Sequence, residues 1–276
     1  MLKDKYTAVW VSHSSISDYL KCPRAYFLKN VYRDPKTHRK ISLMQPSLAL
    51  GQVVHEVIES LSTLPVERRL STPLIDTFEH TWLRVAGKNG GFMSSEMEEK
   101  YKARGREMIE RVSNHPGPLL QKAIKIRHEL PHFWLSEEDG IILCGKIDWL
   151  SYDEATDSVQ IIDFKTGKFD EDPDSLQLPI YYLLAKKCQA KPVSGVSYWY
   201  IDRDIEPVAM ELPSEEESIS RVMEPAKRVS LARKLERFVC QYKDGCASCR
   251  PLESIIAGKA TLIGVNDFGQ DLYVID

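Results

Sequence analysis

Four short motifs follow one another along the chain: Gly51-x3-His55, Gly145-x2-Asp148, Asp163-Phe164-Lys165-Thr166-Gly167 and Gln177-x3-Tyr181. Two carboxylates such as Asp148 and Asp163, brought close together, repel unless a cation joins them. Magnesium or manganese suits that role, because hard cations prefer oxygen ligands. The imidazole of His55 adds a ligand that manganese-type ions accept. Such a cation polarises a phosphoryl oxygen and lowers the pKa of a bound water. Lys165 would orient that water or compensate charge at phosphorus. The ordered set points to metal-dependent hydrolysis of a phosphodiester. Each motif alone has a plainer explanation: a D-x-K ion pair on a surface hairpin, a histidine on a helix face, a polar edge on an amphipathic helix.

These side chains need elements to position them. Gly140 to Tyr152 reads as a strand with Ile141, Ile142, Leu143 and Ile147 among its apolar members. Ser158 to Lys165 reads as a second, and the polar Asp153–Asp157 between them predicts a hairpin. Strand alternation aims Asp163 and Lys165 to one side and Phe164 to the other. Asp148, on the partner strand, can then approach Asp163. Apolar residues at Leu50, Val53, Val54, Val57, Ile58 and Leu61 predict a helix over Leu48–Leu61. His55 and Glu59 share one of its faces. A helix over Asp174–Lys187 projects Gln177 and Tyr181 from one side, where they would hold a phosphate or a base near the metal. Pro179 fits if that helix begins near Leu176, because proline is tolerated in a first turn.

Elsewhere, Thr72–Val85 and Ser94–Val112 read as helices joined by Gly87-Lys88-Asn89-Gly90-Gly91, an insertion expected to act as a lid or strand guide. Val193–Ile201 reads as a strand, Glu215–Phe238 as a long charged helix and Leu272–Ile275 as a short strand.

Six cysteines are present: Cys22, Cys144, Cys188, Cys240, Cys246 and Cys249. Cys144 lies in an apolar strand and reads as a core thiol. Cys22 with Cys240-x5-Cys246-x2-Cys249 would complete a four-thiolate site for an iron–sulfur cluster and tie the chain ends together. Zinc is the alternative, although four-cysteine zinc sites usually use two C-x2-C pairs and one is present here. Free thiols are the third reading. A disulfide framework does not suit a chain of 276 residues without a secretory signal.

Together these residues resemble the RecB-like branch of the PD-(D/E)XK nuclease superfamily, including CRISPR-associated RecB-like exonucleases and recombination-helicase nuclease domains. Ser14–Phe27 is similar to the family's N-terminal cysteine helix. The resemblance continues through His55, Glu129, Asp148, Asp163, Lys165, Gln177, Tyr181 and the C-terminal cysteines. Thr63 to Arg127 is the least matched part. It implies His55, Asp148 and Asp163 as metal ligands and Lys165 as catalytic. It also implies an α/β fold: a restriction-endonuclease-like mixed central sheet flanked by helices, with a helical insertion at 63–127 and a cysteine-bound cap from 1–30 plus 236–258. The family's C-terminal cysteines more often run C-x2-C-x5-C, the reverse of the order here.

The expected activity is that of a deoxyribonuclease acting on single-stranded DNA ends, in CRISPR spacer processing or recombinational repair, with a helicase or integrase as protein partner. The competing expectation is a non-catalytic DNA-binding subunit, against which the presence of all four core residues argues. With 43% hydrophobic residues the chain can bury a sizeable core. No signal peptide or membrane span is visible, so the cytoplasm is expected. A net charge of −3 does not advertise a nucleic-acid binder, but local basic runs can steer DNA. Candidates are Arg33, Lys36, Arg39 and Lys40, then Lys122, Lys125 and Arg127. Arg24, beside the cysteines, is a single candidate for a phosphate contact.

Overall fold

The computed structural model describes residues 4–126 and 130–275. From the N-terminus the elements are β1 (Val9–Val11), α1 (His13–Lys21), α2 (Pro23–Tyr26), β2 (Ile41–Leu43), α3 (Pro46–Ser60), α4 (Leu74–Trp82) and α5 (Ser95–Asn114). Next come β3 (His132–Ser136), β4 (Ile141–Cys144), β5 (Trp149–Asp153), β6 (Ser158–Lys165), α6 (Gln177–Cys188), β7 (Val193–Tyr200) and β8 (Val208–Met210). The chain ends with α7 (Glu215–Lys234), α8 (Arg250–Ile256), β9 (Thr261–Val265) and β10 (Asp271–Val274). The strands form three mixed sheets, ordered β1-β4-β3, β5-β6-β7-β8 and β2-β10-β9. This mixed α/β arrangement, with its sheets flanked by helices, is consistent with the restriction-endonuclease-like fold that the resemblance implies.

The four-stranded sheet positions the site. β6 pairs antiparallel with β5 and parallel with β7, and α6 makes the crossover between β6 and β7. Both faces of β6 are covered, so all of its residues but Gln160 and Lys165 are buried. Ile162 and Phe164 enter a core shared with Val53, Val57 and Trp199. Val159 and Ile161 enter a second core shared with Ile180 and Leu184 of α6. Alternation therefore sends Asp163 and Lys165 to the α6 side.

The strand expected over Gly140–Tyr152 is two strands in two sheets. β4 pairs with β1 and β3, whereas β5 pairs with β6. The break falls at Gly145–Asp148, where a Cβ on Gly145 would meet Leu184 Cδ1 at 3.0 Å. Asp148 thus sits at the junction of two sheets, not in mid-strand. The expected hairpin survives as β5–β6, with Trp149 opposite Ile162 and Asp153 opposite Ser158.

α3 starts at Pro46, in a first turn where a missing N–H costs nothing. α5 starts after Ser94, whose side chain accepts from Met97 N. α6 starts at Gln177, which makes Pro179 a first-turn residue, as the register required. α7 ends at Lys234, short of Phe238, and Glu236 adopts φ +49°.

The insertion helices do not form a lid. Phe78 and Trp82 of α4 and Met108, Ile109 and Val112 of α5 pack into the same core as the apolar stripe of α3. They brace that helix from behind. Among the described residues, none of α4 or α5 lines the cleft at His55. No helix of the described residues is long and apolar enough to cross a membrane.

Candidate metal centre

Three donors meet where α3 passes the start of β5. His55 Nδ1 lies 3.4 Å from Glu59 Oε1 and 3.4 Å from Asp148 Oδ2. One donor atom from each of these residues falls within 4.8 Å of the others. Lys146 ion-pairs with Glu59 at the rim. Asp148 Oδ2 also accepts from Phe164 N at 3.0 Å, which ties the junction loop to the end of β6.

Asp163 lies on the other side of that contact and is 1% exposed. Its Oδ1 accepts from Gln177 Nε2 at 2.7 Å. Its Oδ2 faces the Lys165 ammonium at 3.0 Å. Lys165 donates to Gln177 Oε1, pairs with Glu171 Oε2 at 2.8 Å and lies 4.8 Å from the Tyr198 ring centroid. Gln177 Nε2 also donates to the Tyr181 hydroxyl at 3.2 Å. Gln177 thus reaches Asp163 and Lys165 directly, and Tyr181 reaches them through Gln177.

The electrostatics are those of a crowded acidic site. Burial raises Asp163 to about 8, and the adjacent Asp148 carboxylate adds to the shift. Burial also raises Asp148. Desolvation alone would lower His55, but the hydrogen bond to Glu59 and the charge of Asp148 outweigh it and push His55 up to about 9. Burial opposes the charge on Lys165, while Asp163 and Glu171 reverse the sign and raise it. Protons on such a site do part of the charge compensation that a cation would do, and cation binding displaces them. The donors that one cation could share are the His55 imidazole and the Glu59 and Asp148 carboxylates, a set that fits magnesium or manganese, with the buried Asp163 carboxylate beside it.

A sequence profile of the PD-(D/E)XK nuclease superfamily matches residues 10–252. The chain belongs to that superfamily. The match runs from β1 into α8 and includes all four motifs and the four clustered cysteines, while β9 and β10 lie beyond it. Superfamily membership brings with it nuclease activity dependent on a divalent metal. No curated protein matches the chain significantly.

A second group of donors joins the chain ends. The Sγ atoms of Cys22, Cys240, Cys246 and Cys249 lie within 4.8 Å of one another, and none is in a disulfide. Cys22 precedes α2 and Cys249 precedes α8. Burial pushes Cys249 up to about 12 and raises Cys22. Burial also opposes ionisation of Cys246, yet the backbone amides of Cys249 and Ser248 and the neighbouring thiols bring it down to about 6. Thiolates this close fit a shared soft metal centre. Cys144 and Cys188 stand apart, donating to the carbonyls of Val11 and His132.

The sequence pattern places His55, Asp148, Asp163, Lys165, Gln177 and Tyr181 together, and so does the fold. Glu59 was legible as the partner of His55 but not as a donor in its own right. Glu171 carries no motif and reaches Lys165 from a loop. Arg24 pairs with Glu253 and lines a separate cleft beside the cysteines. Arg39 pairs with the buried Asp271. Glu129 and Arg127 lie outside the described residues. His55, Glu59 and Asp148 open into a cleft of about 800 Å³ that Lys125, Lys146 and Phe268 also line.

Proposed function

We propose that the chain is a deoxyribonuclease of the RecB-like branch, acting on single-stranded DNA ends in CRISPR spacer processing or recombinational repair. The observation that carries this reading is Lys165, held by Asp163, Glu171 and Gln177 beside the His55–Glu59–Asp148 donor set. His55, Asp148 and Asp163 hold the cation, with Glu59 within reach of the same site. Bound there, the metal supplies Lewis acidity and an activated water. Lys165 compensates charge at the phosphorus, and Gln177 fixes the lysine and Asp163 in one geometry. Burial keeps the Tyr181 phenol protonated, so it acts as a neutral hydroxyl beside Gln177. The domain reading that goes with this is one nuclease unit over 1–276, with the insertion at 63–127 and the cap from 1–30 plus 236–258.

The test is cleavage by the purified protein of end-labelled single strands, linear duplex and closed circular plasmid, with and without manganese. Manganese-dependent shortening of single strands from an end is expected. Binding without cleavage under any metal would leave a non-catalytic DNA-binding subunit. Cleavage of closed circles would replace end-dependence with internal cutting.

For the cysteine cap the proposed cofactor is an iron–sulfur cluster, giving a brown protein when prepared without oxygen and about four irons per chain. Zinc has one observation in its favour. Cys246 and Cys249 sulfurs lie 3.8 Å apart, the edge of a tetrahedron with Zn–S of about 2.3 Å. Elemental analysis separates the two. Cys22→Ser should lose the metal and loosen the contact between the chain ends, while Cys144→Ser and Cys188→Ser should keep both. Absence of both metals from protein that has never met oxygen or chelator sinks the four-thiolate proposal.

A further inference from the structure

We propose that Phe268, on the β9–β10 hairpin, is a stacking platform for an unpaired nucleobase of a strand lying in the metal-site cleft. The proposal rests on the nuclease reading above and adds a residue that no motif assigns. The hairpin lies outside the superfamily match. Its tip nevertheless lines the cleft that His55, Glu59 and Asp148 open into.

Phe268 is 87% exposed. A phenyl ring at the tip of a floppy loop would mean little, but this turn is built. Asn266 Oδ1 accepts from Phe268 N at 3.1 Å and from Gln270 N at 3.0 Å. Asn266 Nδ2 donates to Gln270 Oε1 at 3.1 Å. Gly269, at φ +70°, closes the turn by donating to Asn266 O at 2.9 Å. The hairpin is in turn anchored to the protein. β10 pairs with β2, and the fully buried Asp271 carboxylate accepts from Thr37 and pairs with Arg39. The backbone that carries the ring is therefore fixed at the cleft, so only side-chain rotamer freedom is left to lose on binding.

The cleft supplies what a strand needs on either side of that ring. Met44, Leu48, Ile124 and Ile126 offer an apolar wall for base faces, and Lys125 offers a charge for the backbone. The scissile phosphate must lie at the His55–Asp148 donors, so the neighbouring bases lie in the same cleft. Bases inside a duplex already stack on each other, so away from duplex ends only an unpaired base has a free face for the ring. The geometry thus favours single strands over duplex.

The experiment measures binding of a single-stranded oligodeoxynucleotide carrying 2-aminopurine, and of a closed circular duplex, with no added divalent metal. Wild type should quench the 2-aminopurine on binding. Phe268→Ala should weaken single-strand binding about tenfold, the usual scale of one base–aromatic stack, and lose the quenching. Phe268→Trp should retain both, and duplex affinity should not change in either variant. Equal melting temperatures are expected, because the ring packs on nothing. If wild type binds and Phe268→Ala binds single strands as tightly, the inference is overturned and the nuclease reading stands. It is also overturned if tryptophan fails to rescue, or if duplex and single-strand affinity fall together. If wild type binds neither nucleic acid, the inference is overturned, while the nuclease reading is judged by the cleavage assay with manganese.

Discussion

Asp163→Asn and Asp148→Asn should each slow manganese-dependent cleavage by at least about a thousandfold, roughly 4 kcal/mol of transition-state stabilisation. Each replaces an anionic ligand with a neutral one of nearly the same shape. The stability readout distinguishes this from structural damage. Asp163 is buried, and its carboxyl is raised to about 8, so the fold holds the anion at a cost. Such a carboxylate does not stabilise the metal-free protein in its charged form. Gln177 Nε2 still has an oxygen to donate to in the asparagine variant, and Lys165 keeps Glu171. The melting temperature of metal-free Asp163→Asn should therefore equal or exceed that of wild type, while activity is lost. Functional groups that trade stability for activity behave this way. Cleavage at the wild-type rate by either variant with manganese would mean that the site lies elsewhere. A large fall in melting temperature of metal-free Asp163→Asn would make the carboxylate a structural one.

Asp163, Lys165, Gln177 and Tyr181 were legible because two rigid periodicities place them. Strand alternation puts Asp163 and Lys165 on one side, and a four-residue helical step stacks Gln177 on Tyr181. The crossover that brings α6 over β6 follows from the parallel pairing of β6 with β7. The break at Gly145–Asp148 was not legible, because apolar residues run on through Ile147 and hide the change of sheet. β9 escaped notice for a related reason: its residues are mostly exposed and leave no apolar pattern. The apolar stripes of α4 and α5 showed that these helices bury a face, but not that the face meets α3 instead of covering the cleft. Glu171 and Phe268 stand on loops, where nothing in the spacing says where the chain returns. The cysteines are an intermediate case. The spacing of Cys240, Cys246 and Cys249 groups three of them, Cys22 was added as the fourth from the far end of the chain, and the fold brings all four together.

Lys165→Ala should slow cleavage by about a hundredfold to a thousandfold, the range for loss of one donor aimed at developing charge. Manganese affinity should stay the same or tighten. The sign follows from the charges. The ammonium lies 3.0 Å from Asp163 Oδ2, so removing it takes a cation away from an oxygen that a metal would use. It also leaves Glu171 without its partner at 2.8 Å, which adds negative charge near the site. Both changes favour a divalent cation, and neither helps the leaving group or the pentavalent phosphorus. A rate that falls while metal binding holds is the signature of a group acting in the transition state. Lys165→Arg should recover little, because a planar fork cannot replace a point charge fitted between Asp163, Gln177 and the Tyr198 ring. Calorimetric titration of manganese into both variants, beside single-turnover cleavage, gives the two numbers independently. If Lys165→Ala loses manganese binding along with cleavage, the lysine is holding the acidic site together and is not acting on the phosphate.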